Sequence, residues 1–320
     1  MQLNDNMYYT GLTNLALFID MFATNKSNRT KTLIDEFTSE PVSYGDTKIF
    51  RSLPWPEISD YSPNSSLLEN NTPSFTPRGE SESVEVYEET ISIEHYKLIK
   101  NTMFREVVKF AVTNEYGANQ FVATVLSNIE AAKNDFLYDT IINELYSMDS
   151  YAEEEVELID LSEVTQPSEI EAGNILNQKA ISLAIQKVID GMTHYTDLYN
   201  APGLKQSVDL SDLRLVVFQP YKNKAVVDLY AELLNSGVIN ENFPRPTMVT
   251  IPEIKAKQCD NYDSKVVGLI MHKKALQLFF GLVYMGEFFD PSVLRINNFL
   301  HFWYGLGSIN QVPICRIKIK

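Results

Sequence analysis

The C-terminal part of the chain places the strongest limit on the fold. Residues 298–308 carry a dense run of aromatic side chains that ends in Gly305-Leu306-Gly307, and Ile314–Lys320 is a short alternating segment. Alternation with period two is typical of a strand with one buried face. Because chain ends are usually loose unless something ties them down, this segment predicts a terminal strand paired within a sheet. The two glycines predict a bend where two stretches of backbone pass closely.

A proline-rich stretch between residues 40 and 83 is the next constraint. It holds six of the fourteen prolines, mixed with serine and asparagine. Proline blocks helix and removes a hydrogen-bond donor, so this stretch predicts extended loop. Alternating residues at its two ends, Thr47–Arg51 and Val84–Glu88, predict two strands. We therefore expect a long two-stranded projection with a proline-rich tip.

Helical periodicity occurs on both sides of this projection. Residues 11–24 predict a short amphipathic helix, followed by the basic residues of an N-terminal arm. A stripe of Tyr96, Ile99, Met103 and Val107 predicts a helix after the projection. A longer helix, from about Ala118 to Ser147, would form a rod of roughly 45 Å.

Residues 171–286 predict a compact α/β unit, preceded by a possible strand at Val156–Ile159. A buried strand is the strongest signal in it, because Leu213–Phe218 is almost entirely apolar. The remaining predicted elements are helices at about Ile175–Thr193 and Ala225–Asn235, and strands at Met248–Ile251 and Val266–Ile270.

Composition excludes several classes of protein. The formal net charge of -15 and pI of about 4.8 disfavour electrostatic binding to nucleic acid or to an anionic membrane. The longest apolar stretch, Ala275–Met285, is too short to cross a bilayer, and no signal peptide is visible. Two cysteines predict ordinary reduced thiols rather than a disulfide framework. We therefore expect a protein with no membrane partner.

No residue pattern indicates catalysis. The four histidines, His95, His194, His272 and His301, are far apart, and none has a second ligand at metal-site spacing. Nucleotide-binding glycine motifs and nucleophile elbows are absent from the sequence. The runs of acidic residues are typical of solvated surfaces. The sequence therefore predicts no enzyme activity, no cofactor and no metal.

The order of these elements resembles that of tailed-phage major capsid proteins of the Hong Kong 97 type, most closely those of small short-tailed phages. The likeness rests on the strand and helix at Leu213–Asn235, the strand at Val266–Ile270, and the Phe302-Trp303-Tyr304 turn into the final strand. It implies an α+β capsid fold with an N-terminal arm, an extended loop, a long spine helix, a peripheral sheet and an axial α/β domain. The implied boundaries are 1–45 for the arm, 46–93 for the loop, 94–170 with 287–320 for the peripheral domain, and 171–286 for the axial domain.

The resemblance also implies a function. The chain would self-assemble, as hexamers and pentamers, into the icosahedral head around the double-stranded DNA of a tailed phage. It would be made in the host cytoplasm and end in the virion. Scaffolding protein and portal would be its partners, with packaged DNA only in non-specific proximity. Some members cross-link through a lysine of the extended loop, but Lys48, at the loop root, is the only lysine between Gly45 and Tyr96, so cross-linking is not expected.

Charges suggest how neighbouring subunits would meet. The arm is basic and the extended loop is acidic, so we expect ion pairs between subunits. Exposed pairs contribute only about 0.2–1 kcal/mol each, so they would set register more than strength. The residues proposed for these contacts are Lys26, Arg29 and Lys31 of the arm and Glu80, Glu82, Glu85, Glu88 and Glu89 of the loop.

Three other classes stay open from the sequence alone. A shell subunit of a cellular encapsulin-like nanocompartment would show the same order of elements. An α/β enzyme of unrelated fold would need a pocket with converging polar groups. A monomeric binding module would leave the arm and the loop uncovered.

Overall fold

The computed structural model describes residues 29–43, 45–55, 86–104, 115–149, 152–161, 166–218, 246–290, 292–293 and 295–320. The predicted helices at 11–24 and Ala225–Asn235 lie outside these ranges. The helices are α1 (Arg29–Phe37), α2 (Glu115–Ser147), α3 (Pro167–Thr193) and α4 (Glu253–Ala256). The strands are β1 (Thr47–Ser52), β2 (Tyr87–Ser92), β3 (His95–Phe104), β4 (Ala152–Val156), β5 (Leu213–Phe218), β6 (Thr247–Ile251), β7 (Val266–His272), β8 (Leu276–Asp290), β9 (Arg295–Ser308) and β10 (Ile314–Ile319).

Strands β1 and β2 form the paired base of the predicted two-stranded projection, whose proline-rich tip lies outside the described residues. They pair antiparallel, with Thr47 opposite Ser92 and Ser52 opposite Tyr87. The first strand matches its predicted start. The second runs to Ser92, four residues beyond the predicted end, because Thr90 and Ser92 continue the alternation. We refer to β1 and β2 together as the hairpin.

The helix predicted from Tyr96, Ile99 and Met103 is wrong, because these residues lie in strand β3. This strand pairs antiparallel with β9 over its whole length, from His95 opposite Tyr304 to Phe104 opposite Arg295. Residues four apart, such as Ile99 and Met103, share a face in a strand as well as in a helix. The segment forms a strand and not a helix because it pairs with β9, an aromatic strand about 200 residues further along the chain.

Strands β3, β9 and β8 form a three-stranded sheet in that order. The predicted bend at Gly305 and Gly307 is wrong, since β9 continues through both glycines to Ser308. The predicted close approach is confirmed. A Cβ at Gly305 would lie 2.7 Å from the carbonyl oxygen of Ser92 and 2.5 Å from the Phe279 ring.

A second sheet of five strands has the order β4–β10–β7–β5–β6. The C-terminal strand is paired, as predicted, parallel to β4 and antiparallel to β7. Strand β5 has the predicted bounds, and β6 and β7 extend the predicted strands by one and two residues. The strand predicted at Val156–Ile159 instead covers Ala152–Val156, where the exposed Glu153 and Glu155 alternate with Ala152, Glu154 and Val156 beside β10.

The five-stranded sheet lies between helices α2 and α3. Alternate side chains of β5 point to opposite layers, as the pleat of a strand requires. Val216 and Phe218 join the apolar cluster with α2, whereas Leu215 and Val217 join the cluster with α3. Helix α3 begins at Pro167, eight residues before the predicted start, since proline is well tolerated in the first turn.

Helix α2 contacts both sheets. Its 33 residues span about 50 Å. The ring of Phe136 meets Phe302 and Tyr304 of the three-stranded sheet edge-on, with centroids about 6 Å apart. Near the C-terminal end of the helix, the ring of Tyr146 stacks on that of Phe218 in the five-stranded sheet, with centroids 4.3 Å apart. The predicted rod is therefore confirmed, and it begins three residues earlier than predicted. Within the described residues, no helix has the length and apolarity that crossing a membrane requires.

Replacing Gly305 by alanine tests the close approach of the two chain segments. A methyl group there would press on the Ser92 carbonyl, which belongs to backbone and cannot swing away. We expect Gly305→Ala to lower the free energy of unfolding by about 1–3 kcal/mol, measured by urea denaturation of unassembled subunits. The matched control is Gly286→Ala, where the nearest atom is 3.3 Å away on the exposed Tyr284 side chain. Equal effects of the two substitutions would contradict this packing.

Candidate assembly surfaces

The outward side of the hairpin is partly apolar and uncovered in the single chain. Ile49 and, just beyond the strands, Leu53 and Val86 are exposed, and Leu53 keeps 61% of its surface. Arg51 and Glu88 pair across the two strands on the same side at 2.7 Å. Because both of these side chains are exposed, the pair adds little stability. We call Ile49, Arg51, Leu53, Val86 and Glu88 the hairpin face.

The inward side of the hairpin packs on the body of the protein. Ile91 is buried with Phe279 and Ile309, and Phe50 lies against this cluster. Lys48 donates a hydrogen bond to the Ser39 hydroxyl at 2.6 Å, and its ammonium lies 5.2 Å from the centre of the Phe279 ring. Burial lowers the pKa of Lys48. The base of the hairpin is therefore fixed by apolar contacts together with the hydrogen bond from Lys48 to Ser39.

Further along, the hairpin is held by a group of hydrogen bonds that we call the hairpin junction. The Glu89 carboxylate accepts from the backbone N–H groups of Asn310, at 2.9 Å, and Gln311, at 3.4 Å. The Ser52 hydroxyl donates to Gln311 Oε1 at 2.6 Å. The Gln311 side-chain amide donates to the carbonyl of Phe50 at 3.4 Å. The junction therefore joins both strands of the hairpin to the turn between β9 and β10.

The outward side of the three-stranded sheet is aromatic. The ring of Tyr96 lies 4.6 Å from that of Trp303 and 5.7 Å from that of His301, and the Tyr96 hydroxyl shares a hydrogen bond with His301 Nδ1. Tyr284 borders His301 and keeps 60% of its surface exposed. A contiguous exposed apolar patch of this kind marks an interaction surface. We call it the aromatic sheet face; its members are Tyr96, Leu98, Leu282, Tyr284, Phe299, His301 and Trp303.

The predicted contact residues are only partly within the described chain. Glu88 and Glu89 lie in β2 and already have partners inside the subunit, Arg51 and the turn at Asn310 and Gln311. Arg29 and Lys31 lie in α1. Lys26, Glu80, Glu82 and Glu85 lie outside the described residues. Pairing of the arm with the loop of a neighbour therefore stays a prediction.

Sequence reasoning missed both the aromatic sheet face and the hairpin junction. The face carried a usable signal, because Phe299, His301 and Trp303 alternate with the buried Leu300, Phe302 and Tyr304. Read with period two, that run predicts a strand with one buried and one exposed aromatic side. The junction carried no local signal, since its residues lie in three distant parts of the chain.

Burial shifts the pKa of several titratable side chains. Burial lowers the pKa of His272 to about 4, and its Nδ1 accepts a hydrogen bond from the backbone N–H of Lys274. Burial raises the pKa of the Cys259 thiol to about 11 and that of Cys315 to about 12, so both thiols are protonated near neutral pH. Within the described ranges, no three His, Cys, Asp or Glu side chains lie together as metal ligands would.

Known structures with a similar fold are phage capsids. The capsid structure of Staphylococcus phage Andhra matches with a TM-score of 0.61 and 10% identity, over 88% of this chain and 83% of that one. The mature capsid of bacteriophage PhiM1 matches with a TM-score of 0.56 and 12% identity, over 93% and 88%. The capsid of Helicobacter pylori bacteriophage KHP30 matches with a TM-score of 0.50 and 8% identity, over 88% and 87%. At such low identity these likenesses concern the fold. No curated protein sequence gave a significant match.

A family comparison extends the likeness from fold to sequence. The family model described as Phi29-like phage major capsid protein matches residues 26–318, nearly the whole chain. A capsid family implies a structural role in a self-assembling shell, and the predicted phage capsid function is confirmed at this level. The mixed fold of helices and sheets, the uncovered hairpin and the match over residues 26–318 agree: the chain belongs to the Phi29-like phage major capsid protein family and is a subunit of a phage capsid shell.

Proposed function

We propose that this subunit has the Hong Kong 97-type organisation and builds an icosahedral head of hexamers and pentamers around double-stranded DNA. The hairpin would be the root of the extended loop, α2 the spine helix and the three-stranded sheet the peripheral sheet. The domain boundaries given by the sequence are part of this proposal. The family match favours a phage shell over a cellular nanocompartment or an unrelated enzyme, and no catalytic step is proposed.

The observation that carries the proposal is the uncovered hairpin. Its inward side packs on the body of the subunit, whereas its outward side exposes Ile49, Leu53 and Val86. Burying these side chains against a neighbour would stabilise both the hairpin and the contact. We propose that the hairpin of each subunit lies over an adjacent copy.

We further propose that the hairpin face of one subunit contacts the aromatic sheet face of the next. The hairpin face and the aromatic sheet face lie on different sheets and carry different residues. A contact between unlike surfaces is heterologous, and such contacts repeat around rings instead of closing on one pair. This supports assembly into hexamers and pentamers in preference to a simple dimer.

The other partners follow from the function. A closed shell of defined size needs control of its growth, for which we propose a separate scaffolding protein, and a portal at one vertex. With a net charge of -15 per subunit, packaged DNA is proposed to be enclosed without being bound specifically. Synthesis is proposed to take place in the host cytoplasm.

A charged substitution on the hairpin face tests the function. Leu53 is exposed in the single subunit, so Leu53→Asp leaves folding intact but places a charge in the proposed contact, where burial of a leucine is worth about 1.5–3 kcal/mol. We expect loss of shells, measured by electron microscopy and sedimentation after co-expression with the neighbouring genes. The control is Leu198→Asp, since Leu198 is also exposed but lies outside both faces. Normal shells from Leu53→Asp would refute the hairpin contact.

Salt dependence tests the role of the acidic charge. Subunits that each carry -15 repel one another, and salt shortens the range of this repulsion from about 30 Å at 0.01 M to about 8 Å at 0.15 M. We expect assembly to increase as salt rises through this range, measured by light scattering. Particles that only dissolve as salt rises would show that attraction between opposite charges dominates.

Charge exchange tests the pairing of arm and loop. Reversing the arm charges with Lys26→Glu, Arg29→Glu and Lys31→Glu should weaken assembly, because each lost pair is worth about 0.2–1 kcal/mol in every contact. Reversing the loop charges as well should restore it, through Glu80→Lys, Glu82→Lys and Glu85→Lys. Glu88 and Glu89 are left unchanged because they have partners within the subunit. If the combined variant assembles no better than the arm variant, the two segments do not pair.

A further inference from the structure

The hairpin is fixed to the body at two successive points along β2. The first is apolar, where Ile91 packs on Phe279 and Ile309. The second is polar, where Glu89 accepts hydrogen bonds from the turn at Asn310 and Gln311. Two residues of a strand span about 7 Å, so these points are separate. One point would leave the hairpin free to tilt, whereas two define its direction.

Gln311 is the centre of the second point. It is only 3% exposed, and its side chain contacts the hairpin through the Ser52 hydroxyl and the Phe50 carbonyl. Its own backbone carbonyl accepts a hydrogen bond from the side-chain amide of Gln206 at 2.8 Å. The same residue therefore contacts the hairpin on one side and the loop after α3 on the other.

The turn itself is held firmly by the body. The backbone carbonyl of Asn310 accepts from the N–H of Ala201 at 2.9 Å, and Ile309 donates to the carbonyl of Ala275 at 2.7 Å. Beyond the junction, the ring of Trp55 lies 4.7 Å from that of Tyr195, in the segment that follows α3. A turn fixed in this way is a rigid support against which the hairpin is aligned.

A small displacement at the second point produces a larger displacement in the outer part of the loop. A shift of about 1 Å over a base of about 7 Å tilts the hairpin by about 8°, which moves a point about 20 Å away by about 3 Å. Bonds to a carboxylate are charge-assisted and stronger than neutral ones, so Glu89 resists such a tilt more than a neutral residue would.

We propose that Glu89 and Gln311 are positioning residues that set the direction of the hairpin and, through it, the angle between neighbouring subunits. This inference rests on the proposed function, because the hairpin has to reach a neighbour for its direction to matter. Neither residue is required to touch that neighbour. Their effect is on the curvature of the shell.

Particle shape separates this role from simple stability. Glu89→Ala and Gln311→Ala should give subunits that fold and associate but lose uniform closed shells, forming open, tubular or unevenly sized particles in electron micrographs. Glu89→Gln, which keeps a carbonyl acceptor, should restore part of the uniformity. The control is Glu157→Ala, which removes an exposed glutamate that is bonded to Lys320 and lies outside the hairpin and both faces. Uniform shells of unchanged diameter from Glu89→Ala and Gln311→Ala would overturn the proposal.

Hydrogen exchange of unassembled subunits tests the junction without any shell. Glu89→Ala should speed the exchange of amides in β1 and β2 relative to Glu88→Ala, while exchange in β5 and β7 stays unchanged. Ser52→Ala is a milder variant that removes one hydrogen bond to Gln311, and it should also speed the exchange of amides in β1 and β2. It replaces Gln311→Ala in the test if that variant fails to fold. Equal exchange in Glu89→Ala and Glu88→Ala would overturn the proposal. If the wild-type chain formed no particles while exchange changed as expected, the proposed shell would fail and the junction would stand.

Discussion

The pairing of the C-terminal strand holds the two layers of this subunit together. Strand β10 lies between β4 and β7, so it joins β4, which precedes α3 in the chain, to β7, which follows it. Ile314 packs in the cluster with α2, and Ile317 packs in the cluster with α3. Arg316 donates to the carbonyls of Tyr146 and Met148, where the negative end of the α2 dipole favours a cation. One strand thus fixes both cores and the C-terminal end of α2.

The proposed assembly contacts lie on the surfaces that this centre leaves uncovered. Helix α2 spans both sheets and connects the three-stranded sheet, through Phe136, to the five-stranded one, through Tyr146. The hairpin face and the aromatic sheet face stay outside this framework. Because packed cores transmit displacement with little compression, an angle set at the hairpin junction would be passed to the neighbouring subunit. This arrangement supports the proposal that the subunit keeps one fold in the hexamers and pentamers of its shell.

The sequence predicted best where the signal was local. The continuous apolar run Leu213–Phe218 gave its strand correctly, because burial on both sides needs no distant partner to be recognised. The spacing of Tyr96, Ile99 and Met103 misled, since pairing with β9 outweighed helical periodicity. At Gly305 the predicted close approach is confirmed, but the predicted bend is wrong, because β9 continues through the glycine. Gln311 could not be found at all, because its role depends on Ser52 and Gln206, far away in the chain.

The most direct test of the shell assignment is electron cryomicroscopy of the particles that form when the chain is expressed with its neighbouring genes. We expect closed shells in which the hairpin face, with Ile49, Leu53 and Val86, is buried against an adjacent copy. A uniform monomer under all conditions, or shells in which these three side chains remain exposed to solvent, would contradict the assignment of the hairpin as the contact that builds the shell.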